Sequence, residues 1–360
     1  MKPYKAKVYI SKNAIKKNVA IFRHLIGKKL KFLAVVKSNA YGHGLVTCSK
    51  IATSFVDWFG VDSVREALRL RKEGIKKPIL VFGYTMPALY KEAEKNKISL
   101  SFFNETEIKL LKKYPKLRIH LKIDTGMHRQ GIYVRDLARF IKNISAKQVE
   151  GVYTHFAGAK DPKFYPYTLL QIKNFKEAIA IIEKKNPNII RHAAATSATV
   201  NYPDSYFDMV RVGAGIYGLG LASHTELKIR PVLSFTSIIA QVKEVSAGNY
   251  IGYDLTEKVY EDKHIAIVPI GYWHGIPRTL SKIGEVLVRG RRAKILGVVS
   301  MDAIVIAPPK NFKVAVGDEV VFIGSQKGDR ITVRDIAKKI RSVDSEITTR
   351  INPLIPRIVI

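Results

Sequence analysis

Eight short apolar runs, each leading into a stretch of helical periodicity, occupy the chain from Phe32 to Val212 and limit its fold more than any other feature. The runs are Phe32–Val36, Trp58–Val61, Ile79–Phe82, Ile98–Phe102, Arg118–Ile123, Val149–Thr154, Ile189–Ala193 and Phe207–Val212. Apolar runs bounded by turn residues read as strands. The segments between them read as helices: in Val64–Lys72 the apolar stripe is Ala67, Leu68 and Leu70, and Leu170–Lys184 behaves likewise. Strand–helix alternation repeated eight times is the pattern of an α/β protein, a TIM-like (β/α)8 barrel. A doubly wound open sheet also alternates, and the count of eight favours the barrel.

The texture changes after Leu227. Pro231–Val242, Ile265–Ile270, Glu285–Val288, Lys294–Val299, Ala303–Ile306 and Glu319–Ile323 are short β runs separated by Gly, Pro and Asp turns. Helical periodicity returns only at Val333–Ile340. The expectation is an N-terminal barrel over residues 1–226 and a C-terminal, mainly-β domain over residues 227–360. Residues 1–10 are free to pair with the β domain.

Composition then narrows the class. An apolar content of 47% with 25% charged residues describes a folded globular chain and excludes disorder. No stretch approaches the roughly 18 uncharged apolar residues of a spanning helix, so no membrane partner is expected. The basic N-terminal residues run straight into Val8 without an apolar signal core. One cysteine, Cys48, leaves no internal disulfide and fits a reducing cytoplasm. The net charge of +31 invites a nucleic-acid partner. The basic residues, however, come as scattered pairs such as Lys16-Lys17, Lys28-Lys29, Lys76-Lys77 and Lys184-Lys185. Without a zinc-finger, RNP or basic-zipper signature, no specific nucleic-acid function is expected. Anionic small molecules are attracted by such a surface, at a strength that falls with salt.

Barrel enzymes carry their chemistry at the C-terminal ends of strands. Lys37 ends the first run. A lysine there is costly unless its charge has a purpose, and desolvation favours its neutral, nucleophilic form. It suits a Schiff base; equally, it can snorkel out of the barrel rim. The segment Val35-Val36-Lys37-Ser38-Asn39-Ala40-Tyr41-Gly42-His43-Gly44 resembles the pyridoxal phosphate (PLP) lysine motif of the alanine racemase family. The resemblance extends over the chain through Leu121–Arg129, Gly151–Ala157, Val210–Gly218, Pro269–Tyr272, Ser300–Asp302, Gly317–Glu319 and Pro356-Arg357. That family combines a PLP-bearing barrel with a β domain.

The resemblance implies that Lys37 holds PLP and acts as a catalytic acid–base on one face of the cofactor plane. Racemisation needs a second proton-transfer group on the opposite face, and the match makes it Tyr272; read without the family, Tyr272 is a hydrogen-bonded core tyrosine. His155 matches a histidine linking that tyrosine to Arg211, and Arg211 matches the arginine facing the pyridine nitrogen. Arginine stays charged and accepts no proton, so it keeps that nitrogen unprotonated. Thr196 and the turn Gly213-Ala214 are the phosphate candidates after the last two strands, and Tyr41 matches a tyrosine on the phosphate. Arg129 and the backbone of Met301 are implied to bind the substrate carboxylate. Lys122 matches a lysine often carbamylated in the family, and Asp302 shapes the entrance. No metal is expected.

The implied activity interconverts L- and D-alanine for peptidoglycan, in a cytoplasmic homodimer with composite active sites acting on a small amino acid. A serine or broad-specificity racemase is the alternative. It rests on departures from the family pattern. Trp273-His274 replaces Ala-Asp after Tyr272, Ser300 stands for Cys, Ala195-Thr196 for Asn-Ser, and His128 for Gly. Ser345 takes the place of a tyrosine that reaches the phosphate and walls the pocket.

Overall fold

The computed structural model describes residues 4–220, 227–309 and 311–360. The expected domain boundary, 226/227, falls at the edge of a segment outside the described residues, as do the first three residues. Backbone contacts divide the chain into two compact units: residues 14–40 with 45–230, and residues 1–13, 41–44 and 231–360.

The first unit is a parallel eight-stranded barrel. Its strands are β1 (Lys31–Val35), β2 (Trp58–Val61), β3 (Ile79–Val81), β4 (Ile98–Phe102), β5 (Ile119–Asp124), β6 (Val149–Tyr153), β7 (Ile190–His192) and β8 (Met209–Val212). The order is β8-β1-β2-β3-β4-β5-β6-β7. Closure comes from a parallel bridge between Ala195 and Arg211, with the Arg211 N–H donating to the Ala194 carbonyl at 2.9 Å. Phe32, Leu33, Ala34, Phe59, Val61, Leu80 and Leu121 are fully buried, on whichever face they fall. Strands enclosed on both faces select largely apolar runs, and each of the valine, leucine and phenylalanine side chains among them contributes about 1.5–3 kcal/mol. The helices between them start and stop on local signals. Ser63 accepts the Glu66 N–H at the N-terminus of Val64–Lys72, which buries Val64, Ala67 and Leu70 and ends on Arg69, Arg71 and Lys72. That basic end complements the helix dipole.

The second unit is built on a ten-stranded sheet. Leu233–Ile238 pairs antiparallel with both Glu319–Gln326 and Ala6–Ile10, and Ala6–Ile10 pairs in parallel with Arg357–Val359. The run expected over Pro231–Val242 breaks in two, Leu233–Ile238 and Gln241–Val245. Ile239 donates to Asp318 and Ala240 to Ile267, so the chain changes partners at that point. A helix over Asp344–Thr349, absent from the sequence reading, carries Ser345.

This unit includes Tyr41–Gly44, the last four residues of the lysine motif. Gly42 has φ +85°, and a Cβ there would lie 1.9 Å from the Thr348 carbonyl oxygen. Arg357 donates two hydrogen bonds to the Gly42 carbonyl, at 3.2 and 3.0 Å. Gly42→Ala is therefore expected to destabilise the fold by about 3 kcal/mol, through left-handed strain and a backbone clash. Thermal unfolding checks this, and an unchanged Tm refutes it.

Candidate active site

In the barrel unit, the candidate residues gather at the C-terminal ends of the strands. Lys37 lies two residues beyond β1. Ser38, Asn39, Ala40 and Tyr41 then hold φ between 53° and 55°, a left-handed turn closed by the Ala40 N–H donating to the Val36 carbonyl at 2.8 Å. Four consecutive non-glycine residues there store strain of about 1–2 kcal/mol each, of the kind that collects at functional sites. The Lys37 Nζ is 3.7 Å from the Asp62 carboxylate, with 38% of the side chain accessible. From position alone Lys37 is either a desolvated Schiff-base lysine or one snorkelling out of the barrel rim. It is partly open and beside an anion.

Lys122, on β5, is buried, and its Nζ donates to Gln130 Oε1 at 2.8 Å. Burial, then the cations Arg129, Arg211 and Lys37, lower its pKa to about 8 against the opposing pull of Asp124. Asp124 organises the loop that carries Arg129. Its Oδ1 accepts the N–H groups of Gly126, Met127 and His128 at 2.9–3.0 Å. His128 has φ 55°, so the histidine holds a left-handed position that suits the family's glycine.

Arg211, at the end of β8, is held from several sides. Nη1 donates to His192 Nδ1 and to the His192 carbonyl, both at 3.0 Å. Nη2 donates to the carbonyls of Thr154 and Ala193 at 2.7 and 2.9 Å and lies 3.5 Å from His155 Nδ1. Its guanidinium lies 5.2 Å from the centroid of the Tyr153 ring. An arginine only donates, so His192 Nδ1 carries no proton, and the ring's N–H is on Nε2, bonded at 2.9 Å to His120 Nδ1. Burial lowers the Arg211 pKa to about 10, which leaves it cationic at neutral pH. His155 loses its surrounding solvent and faces Arg211, Arg129, Lys122 and Lys37; its pKa falls to about 3, so it is neutral.

Thr196 joins the last two strand ends. It opens the helix Thr196–Asn201, and its Oγ1 accepts the N–H groups of Gly213 at 3.0 Å and Gly215 at 3.4 Å. Thr196, Gly213 and Ala214 therefore meet in one turn. The net chemistry of this end is cationic: Lys37, Lys122, Arg129 and Arg211 act on one another or on His155. The carboxylates described beside them are Asp62 and Asp124, the latter engaged by three amides. Such a site fits an anionic ligand, and Lys37 offers an accessible amine for covalent attachment to its carbonyl carbon.

The second unit brings the remaining candidates into two groups. Burial pushes the Tyr41 phenol up to about 12, so it stays protonated. Near that segment, Ser345 lies half-buried on its short helix; its carbonyl accepts from the hydroxyls of Thr348 and Thr349 at 3.3 and 2.7 Å. Tyr272 begins a 3-10 turn, Tyr272–His274, and its N–H donates to the Ser300 carbonyl at 3.0 Å. The next amide, Trp273 N–H, donates to the Met301 carbonyl at 3.0 Å. Tyr272, Trp273, Met301 and Asp302 are all exposed.

Sequence reasoning missed Asp62, Gln130 and His192. Gln130 adjoins Arg129, and the inward alternation of β7 marks His192, but no local signal pairs either with its partner.

Two family models match the chain: residues 10–220 match the N-terminal domain of alanine racemase and residues 232–359 its C-terminal domain. The chain is 36% identical over 369 residues to an alanine racemase of Symbiobacterium thermophilum, covering 99% of this chain and 97% of that protein. It is 37% identical over 367 residues to alanine racemase 2 of Caldanaerobacter subterraneus, covering 98% and 94%. The fold superposes on the crystal structure of Bacillus anthracis alanine racemase with bound L-Ala-P with a TM-score of 0.94. That comparison has 33% identity and covers 99% of this chain and 96% of that one.

Proposed function

This chain belongs to the alanine racemase family, and on that premise we propose that it is an isomerase that interconverts L- and D-alanine with PLP held on Lys37. The observation that carries the reading is the set of cations around Lys37 and the neutral His155, which fits a phosphorylated, carbonyl-bearing cofactor. PLP, when bound, withdraws electrons from the substrate and makes its α-proton acidic enough to move.

The rest of the task falls to side chains. Thr196 and the Gly213-Ala214 turn would hold the phosphate, and the protonated Tyr41 phenol would be a further donor. Arg211, fixed by three carbonyls and His192, would offer the ring nitrogen a charged donor that accepts no proton. Arg129 and the Met301 backbone hold the substrate carboxylate, and Asp302 narrows the entrance. Lys122, with its pKa near 8, has a neutral fraction at pH 7 that can add carbon dioxide; the new N–C bond forms as one proton leaves to water. The resulting anion orients Arg129. Lys37 moves the α-proton on one face and Tyr272 on the other. Tyr272 comes from the partner of a homodimer, reached through His155. The product, D-alanine, feeds peptidoglycan from the cytoplasm.

Assays of racemisation on a panel of L-amino acids test the reading, with alanine expected to turn over fastest. An inactive, PLP-loaded protein refutes it.

Serine is the second reading, and Ser345 favours it. Its small, half-buried side chain stands where the family places a tyrosine wall, on a helix whose Thr348 carbonyl packs on Gly42. Removing a ring frees space, and the hydroxyl can bond a substrate hydroxyl directly or through water. A change of this size shifts discrimination by about 10- to 200-fold. Ser345→Tyr is therefore expected to lower the kcat/KM ratio of L-serine to L-alanine by about tenfold. A ratio that does not fall removes Ser345 as the determinant.

A further inference from the structure

The second proton-transfer residue stands on a single turn, and one side chain closes that turn. Gly271, just before Tyr272, is buried against Ser300, where a Cβ would lie 2.1 Å from the carbonyl oxygen. No side chain larger than hydrogen fits, so Gly271 itself is held through its backbone, next to the buried Ile270. Its amide donates to His274 Nδ1 at 3.1 Å. His274 is buried, and its own N–H donates back to the Gly271 carbonyl at 2.9 Å. On the far side, Asn352 Nδ2 donates to the Trp273 carbonyl at 3.1 Å. His274 and Asn352 thus clamp the turn at opposite ends.

From this geometry, and resting on the reading of Tyr272 as the second base, we infer that His274 is a positioning residue: by accepting the Gly271 N–H it fixes the direction in which the Tyr272 phenol leaves the turn. The bond requires an unprotonated Nδ1. Burial and Lys5 lower the His274 pKa against the opposing pull of Asp302, which keeps the acceptor available at neutral pH. Asp302 Oδ1 lies 3.8 Å from the same nitrogen, beyond hydrogen-bond reach. The device has a parallel elsewhere in the chain. Asp335, at the third position of the helix Val333–Lys339, reaches back to the Thr332 N–H at 2.9 Å. A carboxylate at the third position therefore serves the same bond, so His274→Asp is the conservative replacement.

The test uses the PLP-loaded enzyme in two measurements. Backbone hydrogen exchange reads the Gly271 amide, which is expected to be protected in the wild type, exposed in His274→Leu and protected again in His274→Asp. Turnover in deuterium oxide reads the base itself. Lys37 alone can exchange the α-hydrogen of one enantiomer with retention, whereas racemisation also needs an aimed Tyr272. His274→Leu is expected to raise the ratio of retention to inversion for that enantiomer by about tenfold, as small misplacements do. His274→Asp is expected to restore it. His274→Ala replaces the leucine variant if that protein does not fold, with the same outcome expected. An unchanged ratio, or an aspartate variant no better than leucine, overturns the inference. Tyr272→Phe separates it from the underlying reading. If that substitution leaves the ratio unchanged, the two-base assignment fails; if it raises the ratio and His274→Leu does not, only the role of His274 fails.

Discussion

Lys37→Ala is expected to abolish racemisation, lowering kcat by roughly a thousandfold or more, as losses of covalent and acid–base groups do. The same substitution should remove the borohydride-reducible attachment of PLP. Both expectations follow from the site. The Lys37 amine is the accessible one at the strand ends, and the cations Lys122, Arg129 and Arg211 stand near it. Lys122 is the natural competitor, because a pKa near 8 gives it some of the neutral amine that attack on a carbonyl needs. Its surroundings argue against that role. It is buried and bonded to Gln130 Oε1, and its Nζ lies within 6 Å of the ring centroids of Phe103 and Tyr153. Peptide mapping after reduction decides the matter. PLP found on Lys122 of the wild type, or a reducible linkage persisting in Lys37→Ala, sinks the assignment.

The barrel was legible because its strands are enclosed on both faces. Phe59, Leu80 and Leu121 are buried wherever they point, so the sequence carries mostly apolar runs that end close to the strand ends. The run from Pro231 to Val242 misled for the opposite reason. Apolar residues continue through Ile239-Ala240, yet those two amides bond to different neighbours, Asp318 and Ile267. Such a change of partner has no local mark. The left-handed turn over Ser38–Tyr41 was also invisible, since none of its residues is glycine. In the site, a motif marked Lys37 and Arg211, but the anchoring of Arg211 depends on His192, which arrives from a neighbouring strand. The charge state of His155 was equally out of reach, because it is set by loss of solvent and by four cations from three strand ends.

Inactive Lys37→Ala and Tyr272→Phe proteins, co-expressed at equal levels, are expected to recover about a quarter of wild-type activity. Tyr272, Trp273 and Met301 are 42%, 57% and 54% exposed, side chains that the proposed partner subunit would cover. Tyr272 itself is fastened at its backbone to the Ser300 carbonyl, so the turn is ordered while the phenol is open. An ordered, exposed tyrosine suits a residue delivered to another chain. In a two-fold dimer each site then takes Lys37 from one subunit and Tyr272 from the other. Random pairing makes half of the dimers mixed, and each mixed dimer holds one site with both residues and one with neither, hence about a quarter of the sites. A site built within one chain gives a different result, because every chain in the mixture lacks one of the two residues. Activity that stays at the sum of the two parents, in a sample where mass analysis shows mixed dimers, rules out the composite site. Full wild-type activity in a strictly monomeric preparation does the same.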